Sequence, residues 1–289
     1  MGRVMGKLLK GFAIVLAGLV GLVAIGVTLV YAASEIIIRK AEPKAAVSIA
    51  AAHDAGAVAR GQRIAKVYGC HDCHGADLTG RLFFDEMPIA RIAGPNLTLE
   101  LARQGDADIA RAIRTGVAAD GRALWIMPSQ AFSRLSDAET SDLLAYLRTF
   151  PARGARQPAK QIGPVGRLGL VLGKFKSEPQ RIRDDARLTP PPALPDLGPA
   201  HARGRQLVRA CVECHGMDLK GTEMAGAPDL SIAAAYEPAD FERLLRTGVG
   251  MGGKKLGLMS ESAPGRFNTW SHEEIAALQD YLRARVAAR

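Results

Sequence analysis

The stretch YGCHDCHG, residues 68–75, decides how this sequence is interpreted. Two cysteines stand three positions apart, and a histidine follows the second one directly. This spacing fits half of a zinc site, a thiol redox pair or a haem attachment site. A further histidine, His71, lies between the cysteines, and we expect it to face solvent. The remainder of the chain distinguishes between these alternatives.

All four cysteines of the 289-residue chain fall in two copies of one pattern, CHDCH at 70–74 and CVECH at 211–215. In C-x-x-C-H, two thiols on one helical turn can form thioethers to one porphyrin edge, and the adjacent histidine can ligate the iron. A shared zinc site or a disulfide framework would leave the histidine after each second cysteine without a role. We therefore expect two covalently bound haem c groups. The predicted attachment and proximal residues are Cys70, Cys73 and His74 in the first copy and Cys211, Cys214 and His215 in the second.

The repeat extends far beyond these motifs, which indicates a duplication of about 90 residues, the size of one small domain. The blocks that correspond, in the same order, are 59–81 and 202–222, 94–98 and 227–231, 106–117 and 238–249, and 135–148 and 270–283. A capping box, Ser136 with Glu139 and Ser271 with Glu274, opens a predicted helix in each last block. No stretch alternates as a strand would, so we expect an all-α fold.

The N-terminal region carries a membrane signal. The segment 11–34 contains 24 residues and none that is charged, which is about 36 Å of helix against a bilayer core of about 30 Å. We expect an uncleaved transmembrane anchor, because the apolar region of a signal peptide is shorter. A cleaved signal peptide, with VYAAS (30–34) as its cleavage region, is the alternative. Positive charges precede the segment and mark its cytoplasmic end, so residues 35–289 should lie on the opposite side of the membrane. Those charges are Arg3, Lys7 and Lys10.

The chain has a formal net charge of +9, but only 5% of its residues are aromatic, and no block of five like charges occurs. Basic charge alone also suits an anionic lipid surface or an acidic protein. We therefore expect no nucleic-acid partner.

With these motifs in place, the chain resembles two class I cytochrome c domains in tandem, over roughly 55–150 and 198–287. The resemblance rests on both C-x-x-C-H motifs, on Pro95 and Pro228 downstream, and on the last helices with Tyr146 and Tyr281. It implies that the first and last helices of each domain cross, that both prolines line the haem, and that a methionine is the second iron ligand. The plan is also similar to the membrane-anchored cytochrome subunits of bacterial periplasmic dehydrogenases, several of which carry three such motifs rather than two.

The duplication selects the methionine that this resemblance requires. Met127 lies 13 residues after Arg114, and Met259 lies 13 residues after Arg246 of the matching RTGV block. We therefore predict Met127 and Met259 as iron ligands, with Met251 as the main rival. The other methionines that follow a proximal histidine are Met87, Met217 and Met224.

Between the two domains, nine of the chain's sixteen prolines fall in residues 151–200, which suggests a stiff, basic linker. Its apolar stretch GLVLGKFK (169–176) is too short to cross a bilayer; we expect it to pack on a haem domain, with the membrane surface or a partner as alternatives. The expected organisation is a cytoplasmic N-terminus (1–10), the anchor (11–34), a juxtamembrane linker (35–54), cytochrome c domain 1 (55–150), the linker (151–197) and cytochrome c domain 2 (198–289).

These features predict an electron carrier without catalytic chemistry of its own, because histidine and methionine together leave iron no open position. It would be a single-pass protein of a bacterial inner membrane, with its soluble domains in the periplasm. Its donor would be a periplasmic dehydrogenase or the quinol pool, and its acceptor an oxidase or another cytochrome. The alternative is a dihaem enzyme such as a cytochrome c peroxidase, in which one iron must open.

Overall fold

A computed structural model describes residues 2–188, 193–222 and 226–288. A long helix, α1 (Gly2–Arg39), opens the chain. It is long and apolar enough to cross a membrane. We call the helices between residues 57 and 147, which include the first motif, the first unit, and those between 202 and 287 the second unit. Residues 40–56 run along the first unit, where the amide of Glu42 donates to Gly121 O (2.9 Å) and that of Ala52 to Ser141 O (3.1 Å).

The first unit and the second unit are built from short helices. Those of the first unit are α2 (Ala57–Val67), α3 (Cys70–His74), α4 (Leu97–Arg103), α5 (Asp106–Thr115), α6 (Ser129–Phe132) and α7 (Asp137–Leu147). Two helices follow in the intervening segment, α8 (Pro164–Val171) and α9 (Glu178–Arg187). Those of the second unit are α10 (Ala202–Leu207), α11 (Val212–His215), α12 (Pro238–Thr247), α13 (Leu258–Arg266) and α14 (His272–Ala287), with 3₁₀ turns at Pro199–His201, Val208–Cys211, Leu230–Ala235 and Met251–Gly253.

The expected mainly helical fold is confirmed, but a small antiparallel sheet was not predicted. Its strands are β1 (Leu82–Glu86), β2 (Ala90–Ala93) and β3 (Gln161–Ile162), in the order β1-β2-β3. The strands have two to five residues, and β1 has no regularly alternating buried face. β1 and β2 form a hairpin, and β3 of the intervening segment pairs with β2. Strands this short hold too few residues to show an alternating pattern in the sequence.

Each unit closes where its first and last helices cross at a glycine. A Cβ added to Gly61 of α2 would lie 1.9 Å from the carbonyl oxygen of Asp142 in α7. A Cβ added to Gly204 of α10 would lie 2.2 Å from that of Ala277 in α14. Only hydrogen fits at both positions, so the helix axes can approach closely. The crossing that the resemblance implied is therefore present in both units.

The last helix of each unit begins at its predicted capping box. The hydroxyl of Ser136 accepts from the Glu139 amide (3.1 Å), while the Glu139 carboxylate accepts from the Ser136 amide (2.7 Å). The same reciprocal pair joins Ser271 and Glu274. These bonds satisfy amides that the first helical turn leaves free, so both predictions are confirmed.

The segment 151–197 is more than an extended connector. Its helix α9 packs on the first unit. There the backbone amide of Glu178 donates to Leu124 O (2.9 Å), and the Glu178 carboxylate accepts from the backbone amide of Gln130 (2.8 Å). Its helix α8 packs on the end of α1 and joins the first unit through the amide of Gly163, which donates to Ile89 O (2.8 Å). Part of the predicted stiff stretch 190–199 lies outside the described residues.

Candidate haem sites

Each C-x-x-C-H motif forms a very short helix that is followed by a tight turn. After His74 and after His215 the chain turns back, so that the amide of Gly80 donates to His74 O (2.7 Å) and that of Gly221 to His215 O (2.8 Å). This turn lets the segment that carries the downstream proline return to the histidine ring.

A buried leucine in left-handed backbone fixes this return in both units. Leu78 (φ 60°) and Leu219 (φ 61°) have fully buried side chains, although L-residues rarely adopt positive φ. Their carbonyls accept from the amides of Leu97 (2.8 Å) and Leu230 (2.9 Å), respectively. The matched geometry in the two units supports their origin by duplication.

The returning segment orients each proximal histidine. His74 Nδ1 lies 3.0 Å from Pro95 O, and His215 Nδ1 lies 2.8 Å from Pro228 O. A carbonyl oxygen can only accept, so Nδ1 carries the proton and the lone pair of Nε2 is left for a metal. Burial lowers the pKa of both rings, which favours the neutral form that ligation needs.

The four cysteines all lie within the described residues, are half-buried, and form no disulfide. Burial raises the pKa of Cys70 and of Cys211 to about 12, and that of Cys73 to about 11. Burial therefore favours the neutral thiol over the thiolate. Within the described residues, no group of three or more His, Cys, Asp or Glu could hold a metal ion, as a zinc site would require.

Both predicted methionine ligands are partly buried against the core. Met127 lies just before α6, and Met259 lies in the first turn of α13. Met251, the rival of Met259, is 50% exposed in a 3₁₀ turn. Of the remaining candidates, Met87 is exposed and Met217 is in the core, whereas Met224 lies outside the described residues. Burial thus agrees with the choice that the repeat suggested, and the ligand set stays a prediction.

The first unit also offers a buried donor that suits a haem carboxylate. Among the residues that the structure describes, the indole N–H of Trp125 is buried and has no hydrogen-bond partner. Leaving such a donor unpaired costs about 1–3 kcal/mol. Trp125 stands two residues before Met127, the predicted second ligand, so the carboxylate of a haem in the first unit would be a suitable acceptor for this donor. With the neutral, oriented histidine, this observation shows that the residues present suit the group.

The two motifs meet through a single arginine. Arg266, at the end of α13, donates from Nε to Asp72 Oδ2 (2.9 Å) inside the first motif. It donates from Nη1 to Glu213 Oε2 (2.6 Å) inside the second. Its side chain is only 12% exposed. The two attachment helices therefore lie on either side of one guanidinium group.

Two further ion pairs between the units are reciprocal. Arg209 of the second unit donates to Glu139 of the first (2.5 Å), and Arg63 of the first donates to Glu274 of the second. Both glutamates are the capping-box residues of their units. Buried apolar side chains of the two units also form one continuous cluster. The units are thus packed against each other with related contacts on both sides.

His71 does not simply face solvent, as the sequence had suggested. It is half-buried, with Nε2 3.2 Å from the Tyr146 hydroxyl and Nδ1 3.1 Å from Gly75 O. The packing of α7 on α2 explains the difference, since it brings the Tyr146 ring against His71. Sequence reasoning also missed Arg266, although the acidic residue before the second cysteine of both motifs was a signal for a shared cation.

Oriented histidines beside paired thiols, repeated in two small helical units, define a covalent haem protein. Comparison with known families agrees: the profile described as "Cytochrome c" matches residues 58–151 and again 201–285. The chain therefore belongs to the cytochrome c family, whose domains imply haem c.

One curated relative adds a functional context. The chain is similar to the fructose dehydrogenase cytochrome subunit of Gluconobacter japonicus, with 24% identity over 261 residues. The similarity covers 78% of this chain and 52% of that relative, so the chain spans about half of its length. It supports a role in electron transfer rather than catalysis.

Proposed function

We propose that the chain carries single electrons between two haem c groups and protein redox partners. The observation that carries this proposal is the contact of Arg266 with Asp72 and with Glu213, one in each attachment motif. The thioethers would fix one porphyrin edge at each motif. Two such edges, one on either side of the Arg266 side chain, would be close together. Because the rate of electron tunnelling falls steeply with distance, this arrangement would favour transfer between the two haems.

Haem supplies the one-electron Fe(III)/Fe(II) couple when it is bound. In the first unit, thioethers to Cys70 and Cys73 would hold the haem, and His74 and Met127 would bind its iron. In the second unit, Cys211 and Cys214 would form the thioethers, and His215 and Met259 would bind the iron. The carbonyls of Pro95 and Pro228 keep the histidine rings oriented. With a histidine and a methionine of the chain both bound to it, the iron would have no open position for a substrate.

Optical and magnetic spectra of the purified full-length holoprotein test this proposal. We expect two haems per chain, both low-spin in the oxidised state, with a methionine–iron charge-transfer band at the red end of the spectrum. A stable high-spin haem with turnover of hydrogen peroxide would instead support a dihaem peroxidase.

For the location, we propose a single-pass protein of a bacterial inner membrane with 35–289 in the periplasm. Two contacts favour an anchor that is retained over a cleaved signal peptide. The side chain of Ser34 is fully buried, and Arg167 donates to Ser34 Oγ (2.8 Å) and to Glu35 Oε2 (3.1 Å). Cleavage near residue 34 would remove or disrupt these contacts between the end of α1 and α8. The N-terminal sequence of the mature protein tests the point.

For the partners, we propose a periplasmic dehydrogenase or a quinol-linked donor, and an oxidase or another cytochrome as acceptor in a respiratory chain. The dehydrogenase context of the curated relative supports this choice. Purification of the tagged full chain from its own membranes, with reduction of its haems by the enzyme that copurifies, tests it. A copurifying enzyme whose substrate leaves both haems oxidised would contradict the proposal.

The proposed domains keep the boundaries expected from the sequence, with cytochrome c domain 1 at 55–150 and cytochrome c domain 2 at 198–289. The crossing at Gly61 and the crossing at Gly204 support one closed helical unit within each range.

A further inference from the structure

Helix α8 presents an apolar stripe to the outside. Val165, Leu168 and Leu172 are 52%, 44% and 62% exposed. They stand at positions i, i+3 and i+7, so they share one side of the helix. Gly166 and Leu170 are buried on the side that faces the protein. A stripe of this kind needs an apolar neighbour.

This stripe lies next to the end of the proposed membrane anchor. The guanidinium of Arg167 is 4.6 Å from the centroid of the Tyr31 ring in α1. Its Nη1 donates to Ser34 Oγ (2.8 Å). Helix α8 therefore lies beside residues 31–35 of α1.

The length of α1 sets the depth of this contact in a bilayer. Twenty residues separate Gly11, where the uncharged segment begins, from Tyr31. They span about 30 Å, which matches the hydrocarbon core of a bilayer. Tyr31 then lies at the outer boundary, where aromatic rings concentrate. Arg167 and α8 lie at the same level.

The tip of the β1–β2 hairpin extends the apolar surface. The amide of Val165 donates to Pro88 O (3.2 Å). On either side of Pro88, Met87 and Ile89 are exposed. The hairpin tip and the start of α8 are thus joined, and both offer apolar side chains.

The charges in this region suit phospholipid head groups. Lys40 directly follows α1, and Lys174 lies just after α8; both are exposed. Basic residues beside an apolar helix face are typical of helices that lie in the plane of a membrane surface.

We propose that α8 and the hairpin tip bind the surface of the phospholipid bilayer, with the apolar stripe at the boundary between head groups and acyl chains. The inference rests on the proposed anchoring by α1 and deepens it. The anchor alone would be a tether, whereas a second contact fixes the orientation of the first unit relative to the membrane. That unit would then present a constant face to a membrane-bound donor.

Labelling from within the bilayer tests this. The full-length holoprotein is placed in nanodiscs of phosphatidylethanolamine and phosphatidylglycerol, and a membrane-partitioned aryl diazirine is photoactivated. Labelled tryptic peptides are then quantified by mass spectrometry. The peptide 168–174 contains Leu168 and Leu172, and 11–39 covers the anchor. The peptide 256–266 is a matched control, because it carries exposed Leu256 and Leu258 on the second unit.

We expect labelling of 168–174 to exceed that of 256–266 several-fold, together with strong labelling of 11–39. Labelling of 11–39 with 168–174 at the control level would overturn the surface contact and leave the anchor intact. A second copy or another protein covering α8 would give that same protected result. Failure to label 11–39 would overturn the anchor and this inference together.

Discussion

The guanidinium of Arg266 in the second unit donates from Nε to the carboxylate of Asp72 in the first, across 2.9 Å. The same side chain also neutralises Glu213 in the other motif. Three charged groups are therefore placed at the junction of the two attachment helices, and the arginine at their centre is nearly buried. Charge at this position would act on both proposed haem sites at once.

Replacing Arg266 with glutamine should lower the reduction potential of both haems. The variant leaves Asp72 and Glu213 unneutralised, and negative charge favours Fe(III) over Fe(II). A unit charge roughly 10 Å away, in a medium of dielectric about 20, implies a shift on the order of tens of millivolts. Spectroelectrochemical titration measures it.

Arg205→Gln is the matched control, because it also removes an arginine that forms an ion pair, here with exposed Asp196 (2.7 Å). It should leave both potentials unchanged. If Arg266→Gln shifts neither potential, or only one, the guanidinium does not serve both sites.

The methionine assignments make a second prediction. Met127→Ala should convert only the first haem to high-spin, and Met259→Ala only the second, because each removes one proposed axial ligand. Met251→Ala should leave both low-spin, since that side chain is half exposed. Electron paramagnetic resonance of the oxidised variants distinguishes these outcomes. A high-spin haem in Met251→Ala, with a low-spin spectrum in Met259→Ala, would reverse the assignment.

The helix crossings make a third prediction. Gly61→Ala and Gly204→Ala should each destabilise their unit by about 1–3 kcal/mol, because the new methyl group would overlap a backbone carbonyl. Gly105→Ala is the control, since no other atom lies within 4 Å of its added Cβ and its backbone has ordinary negative φ. Thermal unfolding of the holoprotein, followed at the Soret band, compares the three. Equal stability of Gly61→Ala and Gly105→Ala would contradict the close approach.

Much of this architecture could be predicted because the signals are local. Each C-x-x-C-H motif, and the pairing of Ser136 with Glu139, involves only four or five consecutive residues. The match between Met127 and Met259 needed only the internal repeat. The motifs and the capping box follow from helical geometry over one or two turns.

Features formed by distant segments were not predictable in this way. Arg266 and Asp72 are 194 residues apart, and nothing in either neighbourhood specifies how the two units pack. The three-stranded sheet likewise needs β3, about 70 residues beyond β2, to complete it. The contact of Arg167 with Tyr31 joins a helix of the intervening segment to the anchor. Tertiary packing decides such features.

Glu178 makes a fourth prediction, which concerns pH. Its side chain is buried between α9 and the first unit, and this burial raises its pKa to about 7, although the carboxylate accepts from the Gln130 amide. A carboxyl group with a raised pKa binds its proton more tightly in the folded chain. Its contribution to stability is therefore fully present below pH 4.5, falls as the pH rises, and is lost above pH 7.

The docking of α9 on the first unit should accordingly weaken between pH 5 and pH 8, by roughly 3 kcal/mol at most. Hydrogen exchange of the amides of α9 measures this local stability at each pH. Glu178→Gln keeps an oxygen acceptor for the Gln130 amide but cannot ionise, so its exchange protection, corrected for the intrinsic rate, should be nearly independent of pH. Glu237→Gln, which replaces an exposed carboxylate before α12, should behave like the unchanged protein. If Glu178→Gln retains the full pH dependence, another group in the interface is responsible for it.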